Sequence, residues 1–166
     1  MPKGSTLLPL AEEFAKDFAT PIVEGIFNGE TIDLQASLQE DGTVDFIELK
    51  GEDGMRVYVR SLLFLFIVTS KKLYPDVEVE VHNTLGSALH CVFKGENRLS
   101  AKALKLIEAE MRKLVEEKAP LKDEDGLMLG ALCPNAGYIT DFKLMPFDEG
   151  IILDYPNFSD WKELIN

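Results

Sequence analysis

Residues 58–75 read YVRSLLFLFIVTSKKLYP, and the class of fold turns on whether this stretch is helix or strand. At its centre Leu62–Val68 is an unbroken apolar run, rich in β-branched and aromatic side chains, and periodicity alone does not separate the two readings. Length does. Tyr58 to Leu73 is longer than an ordinary strand, so we read it as a helix buried on most sides and closed by Tyr74-Pro75. A membrane-spanning helix needs about 20 apolar residues, so the run predicts protein core and no membrane partner.

Towards the N-terminus, Lys50–Gly54 is polar and glycine-rich and marks a domain boundary. Before it, Leu7, Leu10, Ala11, Phe14 and Phe18 have helical spacing, with Ser5 or Thr6 as the cap, Pro9 in the first turn and Pro21 as the stop. Ile22–Phe27 and Thr31–Leu34 flank Asn28-Gly29-Glu30, a hairpin signal because Asn-Gly tolerates positive φ. Asp41-Gly42 turns the chain into an alternating strand, Thr43–Ile47. Towards the C-terminus, Val77, Val79 and Val81 alternate with Glu78, Glu80 and His82, and a turn at 83–87 leads into a strand from Ala88 to Phe93. Ser100 caps a helix whose buried face is Leu104, Ile107, Met111, Leu114 and Val115, with Glu108 and Arg112 paired outside. Tyr138–Leu144 and Ile151–Leu153 read as strands joined through Pro146. The tail carries Phe158, Trp161, Leu164 and Ile165 at helical spacing, either docking on this domain or opening a further element. The expected class is α+β.

Composition sets outer limits. The 166 residues are 46% hydrophobic and 28% charged, a balance that builds a core without disulfide or metal staples. The net charge of −12 repels phosphate backbones and disfavours a free-standing nucleic-acid binder; DNA is not an expected partner. Two cysteines, Cys91 and Cys133, and the lack of an apolar leader in Met1–Asp17 fit a reducing, cytoplasmic setting.

Chemistry-bearing motifs are sparse. The chain has no Gly-x-x-x-x-Gly-Lys-Ser/Thr, no Gly-x-Ser-x-Gly and no His-Glu-x-x-His. His82 and His90 are its two histidines; His90 and Cys91, as strand neighbours, face opposite ways, and an ordinary strand histidine beside a buried thiol is the preferred reading. Glu78 and Glu80 read as a solvated strand face. No metal site and no catalytic residue are expected.

The order of these pieces resembles the N-terminal region of threonyl-tRNA synthetases, a ubiquitin-like β-grasp (TGS) unit followed by the second additional domain that edits mischarged tRNA. Gly4-Ser5-Thr6, Phe27-Asn28-Gly29 and Asp33-Leu34 resemble TGS motifs. Tyr58–Pro75, Leu106–Met111, Cys133–Ile139 and Phe142–Leu144 resemble elements of the editing domain. The resemblance implies domains at 1–50 and 53–157, with 158–166 starting a linker or helix towards a further domain. Editing domains of this kind carry His-x-x-x-His on the first helix and a later Cys-x-x-x-His. Here those positions are Arg60, Phe64, Met128 and Leu132, so the resemblance implies an editing fold without editing chemistry.

Glu52–Leu62, Glu-Asp-Gly-Met-Arg-Val-Tyr-Val-Arg-Ser-Leu, is similar to a stretch of uridine kinase-like proteins of the phosphoribulokinase group, as is Gly150–Leu153. Relative to those proteins, the hairpin strand before Gly4 is absent and Leu121–Gly130 is shorter. This second resemblance implies a non-catalytic regulatory or nucleotide/RNA-recognition region. Its partner would be a downstream kinase domain that alone binds ATP and Mg; no cofactor is expected in this chain. The alternatives are a tRNA-binding or editing domain (an aminoacyl-tRNA deacylase) and a protein-interaction module. The candidate degenerate pocket is Arg60, Ser61, Phe64, Leu132, Cys133 and Asn135, with Arg60 contacting an anion or else paired with an acidic side chain. The candidate interaction stripe is Phe158, Trp161 and Ile165.

Overall fold

A computed structural model describes residues 4–84, 88–95, 97–124, 126–128, 130–147 and 150–155. Among these residues the architecture is α+β, with two antiparallel sheets and three α-helices. The expected stripe Phe158, Trp161 and Ile165 lies outside the described residues.

The first sheet grows from its hairpin. β1 (Ile22–Phe27) and β2 (Glu30–Ile32) are joined by Asn28 and Gly29 at φ 52° and 85°, the positive-φ pair that Asn-Gly supplies at least cost. Asn28 also fixes the third strand: its N–H donates to the Thr43 carbonyl and its Oδ1 accepts the Thr43 N–H, both at 2.9 Å. β3 (Val44–Glu48) then pairs with the other edge of β1, giving the order β2-β1-β3. α1 (Leu8–Phe14) covers one face, its Leu7 and Ala11 packed with Ile22, Leu34 and Leu38.

Two expectations fail here for local reasons. Neither Ser5 nor Thr6 caps α1; Leu7 stands at the cap without a side-chain bond, because residues 4–8 pair instead with 34–38. Gly4 N–H donates to the Leu38 carbonyl, Leu38 N–H to the Ser5 carbonyl and Leu8 N–H to the Leu34 carbonyl. β2 stops at Ile32 because Asp33 turns the chain, its Oδ1 accepting the Gln35 N–H at 2.8 Å.

α2 is the long buried helix, running Glu52–Leu73 and so starting inside the glycine-rich stretch expected as a boundary. Glu52 and Asp53 sit in its first turn, where carboxylates suit the helix dipole, and both pair with Arg56. Gly54 is buried where a Cβ would run into the Glu48 and Leu49 carbonyls, so the helix start lies directly on the end of β3. Val57, Tyr58, Leu62, Leu65 and Phe66 enter the main core, which also takes Val23 and Leu49 from the first sheet region.

The second sheet has the order β4-β5-β7-β6, all antiparallel, from β4 (Glu78–Thr84), β5 (Ala88–Lys94), β6 (Lys143–Phe147) and β7 (Gly150–Asp154). Leu89 and Cys91 of β5 lie opposite Leu153 and Ile151 of β7, and all four are buried. Glu80 on β4 is exposed and pairs with Lys94 at 3.9 Å. α3 (Ala101–Glu116) completes the core with Leu104, Ile107 and Met111; Ser100 caps it, accepting the Ala103 N–H at 3.1 Å. The expected strand 138–144 is displaced: Ala136–Tyr138 forms a 3-10 turn, and β6 takes Pro146 inside it. Pro146 is tolerated because β6 is an edge strand and needs no outward N–H.

Gly54→Ala is expected to cost about 1–3 kcal/mol, since the new methyl meets backbone that cannot rotate away. Urea unfolding of the two proteins checks it, with an unchanged midpoint counting against the close approach.

Candidate functional site

The expected pocket residues come from two places. Arg60, Ser61 and Phe64 lie on one stretch of α2, and Leu132, Cys133 and Asn135 on the extended segment before the 3-10 turn. The structure joins them by hydrogen bonds. Arg60 Nη1 donates to the Ala131 carbonyl at 2.7 Å. Ser61 Oγ donates to the Val57 carbonyl at 2.7 Å and accepts the Cys133 N–H at 2.8 Å. Phe64 and Leu132 are buried in the shared core. Asn135 serves the segment's own end, accepting the Gly137 N–H at 2.8 Å.

The remaining holds come from the first sheet region, which sequence reasoning did not assign to this site. Asp33 Oδ2 accepts the Leu132 N–H at 3.2 Å, and Gln35 Nε2 donates to the Pro134 carbonyl at 3.3 Å. Residues 131–134 are thus held by four side chains, two from α2 and two from the turn after β2, one backbone group for each, and the Pro134 carbonyl also accepts the Leu121 N–H at 3.3 Å. Gly130 permits the approach of Arg60: at φ 113° a Cβ there would stand 2.6 Å from Arg60 Cζ.

Among the described residues Arg60 forms no ion pair, which corrects the expected pairing with an acidic side chain; its bond goes to a main-chain carbonyl. It does act electrostatically on one carboxyl, that of Glu24. A register shift between Ile22 and Glu24 interrupts the alternation of β1. Glu24 is buried there, within electrostatic reach of Arg60, Asp33 and Asp53. Burial raises the Glu24 carboxyl above its ordinary 4.5; Arg60 opposes the rise, and Asp33 and Asp53 add to it. A charged residue inside Ile-Val-Glu-Gly-Ile was the signal that could have found Glu24.

The chemistry available to the site is limited by desolvation. Burial pushes the Cys133 thiol up to about 12, so it is no thiolate nucleophile near neutral pH. Ser61 has its hydroxyl proton committed to Val57, and no general base adjoins it among the described residues. No group of three or more His, Cys, Asp or Glu among the described residues could hold a metal ion. A separate cleft of about 300 Å³ lies where α2 ends, between Leu73–Val77 and Asn97-Arg98, and contains none of these residues. No described helix is long and apolar enough to cross a membrane.

No family model matches the chain. The chain is similar to threonine–tRNA ligases. With that of Bacillus velezensis it shares 30% identity over 120 residues, 72% of this chain and 19% of the relative. With that of Desulforamulus reducens the identity is 28% over 119 residues, again 72% and 19%. For Streptococcus mutans it is 28% over 123 residues, 74% and 19%. The chain therefore spans about a fifth of the length of the curated relatives it matches. The α+β architecture, with a TGS-like sheet unit followed by a second-additional-domain-like body, is consistent with that similarity. The expected kinship with uridine kinase-like proteins is corrected. The comparisons lead to threonine–tRNA ligases and give no support to a kinase, transferase or ATP-binding reading. Glu52–Leu62, which suggested it, has local structural reasons: a charged helix start, a glycine under a carbonyl, and a serine and an arginine holding a neighbouring segment.

Two outcomes are expected. Ser61→Ala leaves the buried Cys133 N–H without its acceptor and should cost about 1–3 kcal/mol by urea unfolding. Because Glu24 binds its proton more tightly in the folded chain, its contribution to stability falls as pH rises from about 4.5 through the raised value. Glu24→Gln should therefore raise Tm at pH 7 relative to wild type and leave it nearly unchanged at pH 4; thermal melts at the two pH values read the difference.

Proposed function

We propose that this chain is a threonyl-tRNA synthetase-like tRNA-handling module that recognises its ligand without hydrolysing it. The observation that carries the reading is the occupancy of four positions. Where editing domains of this kind place three histidines and a cysteine, this chain has Arg60, Phe64, Leu132 and Met128. Hydrolysis of an aminoacyl ester needs a group that binds or deprotonates water. Arginine stays protonated, and phenylalanine and leucine offer no lone pair. Phe64 and Leu132 are core residues, and their burial supports a cleft whose reactive positions have become packing.

In this reading Arg60 is the ligand contact, since a guanidinium suits phosphate or carboxylate and only one of its bonds is made to Ala131. Ser61, Cys133 and Asn135 shape the wall behind it. A net charge of −12 makes such recognition weak and salt-sensitive. The test combines two measurements on the full chain. With mischarged threonine-specific tRNA, ester hydrolysis should stay at background; turnover lost in Arg60→Ala would overturn the non-hydrolytic reading. With fluorescent tRNA at low salt, anisotropy should saturate, and Arg60→Ala should weaken binding about three- to tenfold. A flat titration would overturn the tRNA-handling reading itself.

A further inference from the structure

The far end of α2 opens into a cleft of its own. Pro75 has no N–H to give the Lys71 carbonyl and biases Tyr74 out of helical geometry, so the helix ends at Leu73. The chain then turns, the Val77 N–H donating to the Tyr74 carbonyl at 3.1 Å. Leu73–Val77 form one wall of the cleft of about 300 Å³, and Asn97 and Arg98, just ahead of α3, form the other. Asn97 Nδ2 joins the walls by donating to the Asp76 carbonyl at 2.7 Å, which fixes their spacing. Its Oδ1 is left as an acceptor with no donor among the described residues.

The two walls carry opposite charge. Asp76 stands on the α2 side, where the last carbonyls of a helix also favour a cation. Arg98 stands on the other. They line the same cleft, yet neither joins an ion pair among the described residues. Of the two lysines in the last turn of α2, neither lies on a wall, and Lys72 is taken up by Glu110 of α3 at 3.2 Å. Arg98 is held in place without using its whole fork. Its guanidinium lies 5.4 Å over the Phe93 ring, and Nη1 donates to the Gly95 and Asn97 carbonyls. Nε and Nη2 have no acceptor among the described residues. The rest of the lining includes the apolar Leu73, Pro75 and Val77.

We propose that this cleft binds a free α-amino acid with an aliphatic side chain. The ligand's carboxylate accepts from Arg98 Nε and Nη2, a fork that suits a carboxylate. Its ammonium donates to the Asp76 carboxylate and to Asn97 Oδ1, and its side chain covers Leu73, Pro75 and Val77. Size and charge select this class. The volume is at the lower end of the range for small-molecule sites, which calls for a small ligand. A ligand of one sign, such as a phosphate chain or a basic peptide, would meet its own charge on one wall; a zwitterion meets the opposite charge on both. Asp76 and Arg98 are exposed, so water weakens both contacts and the expected Kd is on the order of 1 mM. The assignment uses none of the residues of the Arg60 site and stands or falls separately from it.

The probe is L-leucine, titrated into the nitrogen-15-labelled full chain and followed by amide resonances. Leu73, Tyr74, Val77, Asn97 and Arg98 should shift and saturate together. N-acetyl-leucine lacks the ammonium, leucine amide lacks the carboxylate and glycine lacks the side chain; each should bind at least about tenfold more weakly. Arg98→Gln and Asp76→Asn should each weaken leucine binding about tenfold, and in Arg98→Gln leucine and leucine amide should bind alike. Binding of N-acetyl-leucine, leucine amide or glycine as tightly as leucine would overturn the proposal, and so would shifts confined to other residues or no shift at all. The ligand series on the wild-type chain decides the matter whether or not the variants fold.

Discussion

Burial of α2 on more than one side is the constraint from which the rest of the molecule follows. A helix carrying Tyr58, Leu62, Leu65 and Phe66 into one core, with Gly54 pressed on the end of β3, needs chain packed around it. α3 and the second sheet supply one part of that cover, and Val23 and Leu49 from the first sheet region supply another. Each fully buried Leu or Phe side chain stabilises the fold by roughly 1.5–3 kcal/mol. The two sheets are therefore coupled through the helix they share.

The same helix sets the character of the candidate site. Arg60 and Ser61 project from its middle and hold residues 131–134, while Asp33 and Gln35 reach the same segment from the first sheet region. Here the polar groups are spent on backbone, and the buried thiol of Cys133 is driven away from ionisation. Beside them the buried Glu24 carboxyl feels Arg60, which stabilises its charge, and Asp33 and Asp53, which oppose it.

Local signals were legible in the sequence, and long-range ones were not. The Asn28-Gly29 hairpin, the Ser100 cap and the helical reading of residues 58–73 all rest on chemistry within a few residues. The misplaced starts of α1 and α2 have a common cause: Ser5 and Gly54 were read for local propensity, while their roles come from distant partners at Leu38 and Leu49. Asp33 was visible as part of a motif, but its bond to Leu132, ninety-nine residues on, has no local signature. The kinase resemblance rested on Glu52–Leu62, which mixes exposed charges at the helix start with buried Gly54, Val57, Tyr58, Ser61 and Leu62, and the comparisons lead elsewhere.

Residues 131–134 are held mainly by side chains, with main-chain pairing at their end where the Leu121 N–H donates to the Pro134 carbonyl at 3.3 Å, and this gives the protein a built-in reporter. Side-chain holds open singly, so the part up to Cys133 can lift while the main-chain pairing of residues 134–136 with 119–121 stays closed. Cys133 sits at its middle, fully buried while the holds are made. Its rate of alkylation by a small thiol reagent thus measures how often the segment lifts away from α2, a clock for local opening that runs in the native protein.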